Sequence, residues 1–148
     1  MADALWFTTA RLTIQLSQKD NSGGISLIEH HMAQGFGVPL HAHRDEDENF
    51  YVLEGEVRMQ TGDQVHNLKA GDALSVAGGT PHSFHVVSKE ARFLTITTGQ
   101  FEDMVRSLGR PASAAGLPPQ DQPTEAQIEA LVSACAKHGI EFLGPVVA

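Results

Sequence analysis

A chain of 148 residues, 41% hydrophobic and 6% aromatic, has the size and composition of one globular domain around a single core. Its 18 acidic against 10 basic side chains give a net charge of -8 and a pI near 5.3, a field that repels phosphate backbones and excludes nucleic acid as a partner. The lone cysteine excludes an internal disulfide, no secretion signal opens the chain, and no apolar run approaches the roughly 20 residues of a membrane span, so a cytoplasmic protein with no membrane partner is expected.

Leu5 to Leu16 reads as one strand, with Leu12, Ile14 and Leu16 alternating with Arg11, Thr13 and Gln15. After the turn at Lys19 to Gly24 comes a second strand, Ile25 to Met32, whose Glu29-His30-His31 segment is polar. One of these histidines is expected at the surface and the other in the barrel wall; the functional alternative is a pocket imidazole that moves a proton near neutral pH. Pro39 falls just ahead of a strand, where its missing N–H is harmless. Strands are expected at Asn49 to Leu53, Val57 to Gln60, Val65 to Leu68, Ala73 to Ala77, His82 to Val87 and Ala91 to Thr98. The turns between them include a hairpin at Glu54-Gly55-Glu56 and tight turns at Thr61 to Gln64 and Lys69 to Asp72. This spacing belongs to an antiparallel sandwich or barrel.

Beyond Thr98 the period changes. Phe101, Met104, Val105 and Leu108 mark one face of a short helix that Gly109 and Pro111 stop, and Pro111 to Pro123 forms a surface linker. Thr124 and Gln127 match a capping box for a second helix whose stripe is Ile128, Leu131, Val132 and Cys135, ending at Gly139. Cys135 reads as a small core residue rather than a reactive thiol, and the apolar tail Ile140 to Pro145 is expected to dock on the barrel or on a partner subunit.

The chemistry concentrates between Gly35 and Gly55. His41 and His43 are two apart and project from one face of an extended chain, and a turn returns Glu48 toward them. Imidazole with carboxylate and no thiol suits a divalent first-row metal in an open rather than a closed structural site. The fourth ligand is expected from His82, delivered by the glycine-rich run Gly71 to His82. Asp47 is a second candidate for the acid, although the longer arm of Glu48 reaches an ion across a turn; Asp45, Glu46 and the remaining carboxylate read as a solvated acidic loop. His85 is expected on the opposite strand face and His66 at the surface.

These two stretches resemble the two motifs of the cupin family. Glycine, five residues, His-x-His, the acid at Glu48 and a closing Gly55 fit the first; Gly71-Asp72, Gly79 and His82 fit the second, with Ala77 in place of the usual proline and Val86 in place of a frequent asparagine. Phe101 to Arg106, the proline-rich bridge and His138 to Pro145 are similar to bacterial single-domain quercetin dioxygenase-like cupins. The resemblance implies an all-β fold, the cupin double-stranded β-helix or jelly-roll barrel, with two short C-terminal helices: one domain over 1–148, with the barrel in 1–99 and the helical extension in 100–148. It also implies one divalent metal ion (iron, manganese, nickel, cobalt or zinc) on His41, His43, Glu48 and His82, with Glu48 doubling as proton acceptor. Phe50, Val52, Phe84 and Phe93 are the expected pocket walls, with Tyr51 a further candidate. The expected activity is an oxygenase reaction of dioxygen with a small enolic or phenolic substrate in a homodimer. The alternatives are a redox-neutral isomerase or lyase and a binding cupin without turnover.

Overall fold

The computed structural model describes residues 3–148. In chain order the strands are β1 (Asp3–Phe7), β2 (Ala10–Leu16), β3 (Ser26–Ala33), β4 (Gly37–His43), β5 (Glu48–Glu54) and β6 (Glu56–Thr61). They continue as β7 (Gln64–Lys69), β8 (Ala73–Val76), β9 (His82–Val86), β10 (Glu90–Thr97), β11 (Arg110–Pro111) and β12 (Ile140–Phe142). Two α-helices, α1 (Phe101–Leu108) and α2 (Glu125–Lys137), and one turn of 3-10 helix at Gln18–Asp20 complete the elements.

The strands form a jelly roll of two antiparallel sheets. One has seven strands in the order β11-β1-β2-β3-β10-β5-β8, the other five in the order β12-β4-β9-β6-β7. Alternation decides what faces inward. On β3 the buried residues are Ser26, Ile28, His30 and Met32; on β10 they are Ala91, Phe93, Thr95 and Thr97; on β5 they are Glu48, Phe50 and Val52. Val57, Met59, Phe84 and Val86 answer them from the second sheet. Phe93 joins the layers, edge-on to Phe50 of its own sheet at 5.4 Å and to Phe84 of the other at 5.2 Å.

The expected strand from Leu5 to Leu16 is a hairpin. Its period runs unbroken through Thr8, yet Thr8 takes a φ of 52° and turns the chain, and β1 pairs back on β2. Glu54-Gly55-Glu56 is not a hairpin either: β5 and β6 lie in different sheets, and the chain crosses between them at Gly55. Gly55 has a φ of 84°, and a Cβ there would run into Glu90 O. Pro39 lies inside β4, at a one-residue bulge between Val38 and His41 where no ladder hydrogen bond is asked of it.

α1 buries Phe101, Met104 and Val105, and the capping box of α2 forms as expected between Thr124 and Gln127. Its apolar stripe does not all pack: Cys135 is buried, whereas Ile128 is 47% and Val132 45% exposed. The linker crosses the surface, held to the β1–β2 hairpin by Trp6 Nε1 donating to Gly116 O and Gln120 Nε2 to Thr9 O. The tail docks on its own barrel as β12, which pairs with β4. No helix among the described residues is long and apolar enough to cross a membrane.

Candidate metal centre

β4 and β9 run antiparallel with His41 opposite His82, and the two rings lie 4.2 Å apart between centroids. His43, two residues along β4, shares the inward face, and Glu48 opens β5. The glycine turn before β9 is tied to the first motif: Gly79 N–H donates to His43 O at 2.8 Å and Gly78 N–H to Asp47 Oδ1 at 2.8 Å. Asp47 is thereby turned to the exposed loop, and Glu48 is the acid brought inward. Its Oε1 lies 2.8 Å from His82 Nε2 and 3.2 Å from His43 Nε2. One donor atom each from His41, His43, Glu48 and His82 falls within 4.8 Å of the others, all four residues being buried.

The hydrogen bonds behind the rings define what they present. His41 Nδ1 donates to Pro39 O at 2.8 Å, and His82 Nδ1 donates to Thr80 O at 2.9 Å. A carbonyl only accepts, so both Nδ1 atoms carry the hydrogen and each ring turns its Nε2 toward the cluster. At His82 that Nε2 lies 2.8 Å from a carboxylate oxygen, a contact that needs a proton or a cation between the two atoms. A shared cation meets the demand, and the nitrogen and oxygen donors fit a divalent ion.

The electrostatics agree. Burial on its own raises the Glu48 carboxyl, but His43, His82 and His41 outweigh it and hold the group well below the usual carboxylate range. Burial, with His82 second, pushes His41 down to about 3, so that ring is neutral and available to a metal. At His43 burial works downward, but Glu48 and Glu46 prevail and raise it.

The other expected residues fall as follows. Phe50, Val52, Phe84 and Phe93 all face the barrel interior and are buried, whereas Tyr51 points outward. Phe50 stands edge-on to His82 at 6.3 Å. His31 is the surface histidine, 3.0 Å from Glu90, and His30 the wall histidine, bonded to Thr95 Oγ1 at 2.9 Å. Burial pushes His30 down to about 4, which removes it as a proton carrier near neutral pH. His85 stays outside the cluster and donates to Val147 O, and His66 is half-buried against Thr61. Burial pushes the Cys135 thiol up to about 12, in keeping with a core role.

Three neighbours of the site were not expected. Phe101 lies 5.5 Å from His43 and Phe142 6.1 Å from His41. Glu46, expected in a solvated loop, is instead buried; its Oε1 accepts from Gly99 N–H at 3.0 Å and its Oε2 lies 3.5 Å from His43 Nδ1. Periodicity does mark Phe101 as inward-facing on α1, but nothing in a run of four consecutive carboxylates separates Glu46 from its neighbours.

Fold and site together define a jelly roll with a buried site for one divalent metal ion. The cupin domain family matches residues 28–97, and this segment, which carries all four candidate ligands, is a cupin domain. It is 31% identical over 111 residues to quercetin 2,3-dioxygenase from Bacillus subtilis, an alignment covering 74% of this chain and 33% of that protein. The chain thus spans about a third of the length of this relative. Among solved structures, KdgF from a Halomonas species superposes with a TM-score of 0.58 at 17% identity, over 65% of this chain and 85% of that one. A predicted oxalate decarboxylase from Thermotoga maritima gives 0.56 at 24% identity, over 60% and 79%. These structural likenesses establish the fold.

Proposed function

We propose that this chain is a metal-dependent cupin oxygenase acting on a small enolic or phenolic compound. The observation that carries the reading is Glu48, a buried and ionised carboxylate whose Oε1 sits 2.8 Å and 3.2 Å from two of three convergent imidazoles. Identity to a quercetin dioxygenase favours oxygenase chemistry over the other reactions of the fold. Four protein ligands leave one or two positions open on a five- or six-coordinate ion. A redox-active divalent ion bound there supplies Lewis acidity toward a substrate oxygen and a route for electrons to dioxygen. Glu48 accepts the proton of the substrate hydroxyl, as an ionised carboxylate beside that hydroxyl can. Phe50, Val52, Phe84 and Phe93 pack as core beside the ligands and keep water from that side of the ion.

The small molecule and dioxygen are the partners in this reading, and a cytoplasmic homodimer completes it. Trp6 does not support self-association, since it packs beneath Arg110 on its own barrel.

Protein loaded in turn with iron, manganese, cobalt or nickel and offered a panel of flavonol-like enols is expected to consume oxygen in step with substrate, and Glu48→Gln to abolish uptake. No uptake with any ion across the panel overturns the oxygenase reading. Zinc-loaded protein that turns substrate over without oxygen is an isomerase or lyase, and ligand recovered unchanged marks a binding cupin.

A further inference from the structure

We propose that Glu46 is a positioning residue of the metal centre: it holds His43 with hydrogen on Nδ1 and the lone pair on Nε2, and it is the second buried carboxylate balancing a divalent ion. A ligating imidazole generally gives its other nitrogen to an acceptor, which fixes the tautomer and orients the ring. His41 and His82 use the backbone carbonyls two residues before them. His43 has no such carbonyl: its Nδ1 is buried without a hydrogen-bond partner, and the acceptor facing it is Glu46 Oε2 at 3.5 Å. Both side chains are closed off from water, His43 at 3% exposure and Glu46 at 1%.

The surroundings of Glu46 are shaped for a carboxylate. Gly99 N–H donates to Oε1 at 3.0 Å, and a Cβ at Gly99 would fall 2.8 Å from Glu46 Cβ. Gly78 makes room from the other side, where a Cβ would lie 3.0 Å from Glu46 O. Among the described residues no lysine or arginine pairs with Glu46, and the imidazole of His43 is the group that faces it. A buried carboxylate without a cation is costly, so its retention points to positive charge supplied through His43. An ionised carboxylate only accepts, which obliges His43 to donate from Nδ1 and leaves Nε2 facing Glu48. With neutral histidines, the charges of Glu46 and Glu48 cancel those of one divalent ion.

The test is a cobalt(II) titration of the full metal-freed chain, with imidazole nitrogen NMR of the zinc-loaded form to read the His43 tautomer. Glu46→Gln keeps an acceptor for Gly99 but can turn its amide N–H toward His43, so the dissociation constant is expected to rise about 10–100-fold and His43 to lose its Nδ1 hydrogen. Asp47→Asn removes the same charge from an exposed position and is expected to stay within about threefold, since solvent screens it. Wild-type affinity and tautomer in Glu46→Gln, or an equal loss in Asp47→Asn, overturns the role. Should Glu46→Gln not fold without metal, Glu46→Asp, which keeps the charge but withdraws it from the ring, is read by the same two measurements. This role requires the metal site and not the oxygenase reading, so a protein that binds cobalt without consuming oxygen leaves it standing.

Discussion

At the residue scale, the metal centre is a matter of where hydrogens sit. Pro39 O and Thr80 O take the Nδ1 hydrogens of His41 and His82, and their Nε2 atoms converge with Glu48. His41 and His43 were legible as a pair because the two-residue period of a strand is local, whereas Glu48 and His82 lie on other strands and were pointed to by the spacing of the two motifs. Glu46 was not legible, because its burial is set by Gly78 and Gly99, which lie 32 and 53 residues away in the chain and clear space that no local pattern announces. His30 gives a prediction at this scale. Its pKa falls from 6.5 to about 4 on folding, so the unfolded chain binds more protons between these values, and stability is lost as pH drops through that window. In metal-free protein the stability of wild type relative to His30→Leu should therefore fall by roughly 2–3 kcal/mol from pH 7 to about pH 4.5, at 1.36 kcal/mol per pH unit. Urea unfolding at the two pH values measures it, and parallel shifts in both proteins would contradict the assignment.

At the scale of elements, alternation predicted most strands and capping chemistry predicted the start of α2. The misreadings have two causes: a turn without glycine or proline, as at Thr8, leaves the hydrophobic period intact, and a glycine alone does not say which sheet the chain enters next. Gly55 and Gly62 look alike in sequence and differ in space. Gly62, with a φ of 55°, closes the β6–β7 hairpin and has open space around it, whereas Gly55, with a φ of 84°, is pressed against Glu90 O and Ala91 at the crossing between sheets. Gly62→Ala should cost about 1 kcal/mol, the conformational term alone, and Gly55→Ala at least twice that. Denaturant midpoints of the two variants check the order, and equal losses would show that the crossing has room to relax.

For the whole molecule, the site is a junction between layers. β5 brings Glu48 from the seven-stranded sheet, while β4 and β9 bring the three histidines from the five-stranded one, with Phe93 and Phe84 packed across the same gap. An ion at this point ties the sheets together where β12 and α1 also come close, through Phe142 beside His41 and Phe101 beside His43. Composition and motif order disclosed the jelly roll; the partition of strands between sheets and the exposed face of α2 depend on long-range pairing that sequence periodicity does not record. The most direct measurement is elemental analysis of purified wild type beside His82→Ala. Wild type should carry about one divalent ion per chain, as a site with three imidazoles and one carboxylate holds one, and His82→Ala should lose it. Wild type without metal after reloading, or a variant that retains it in full, would contradict the metal centre and with it the proposed chemistry.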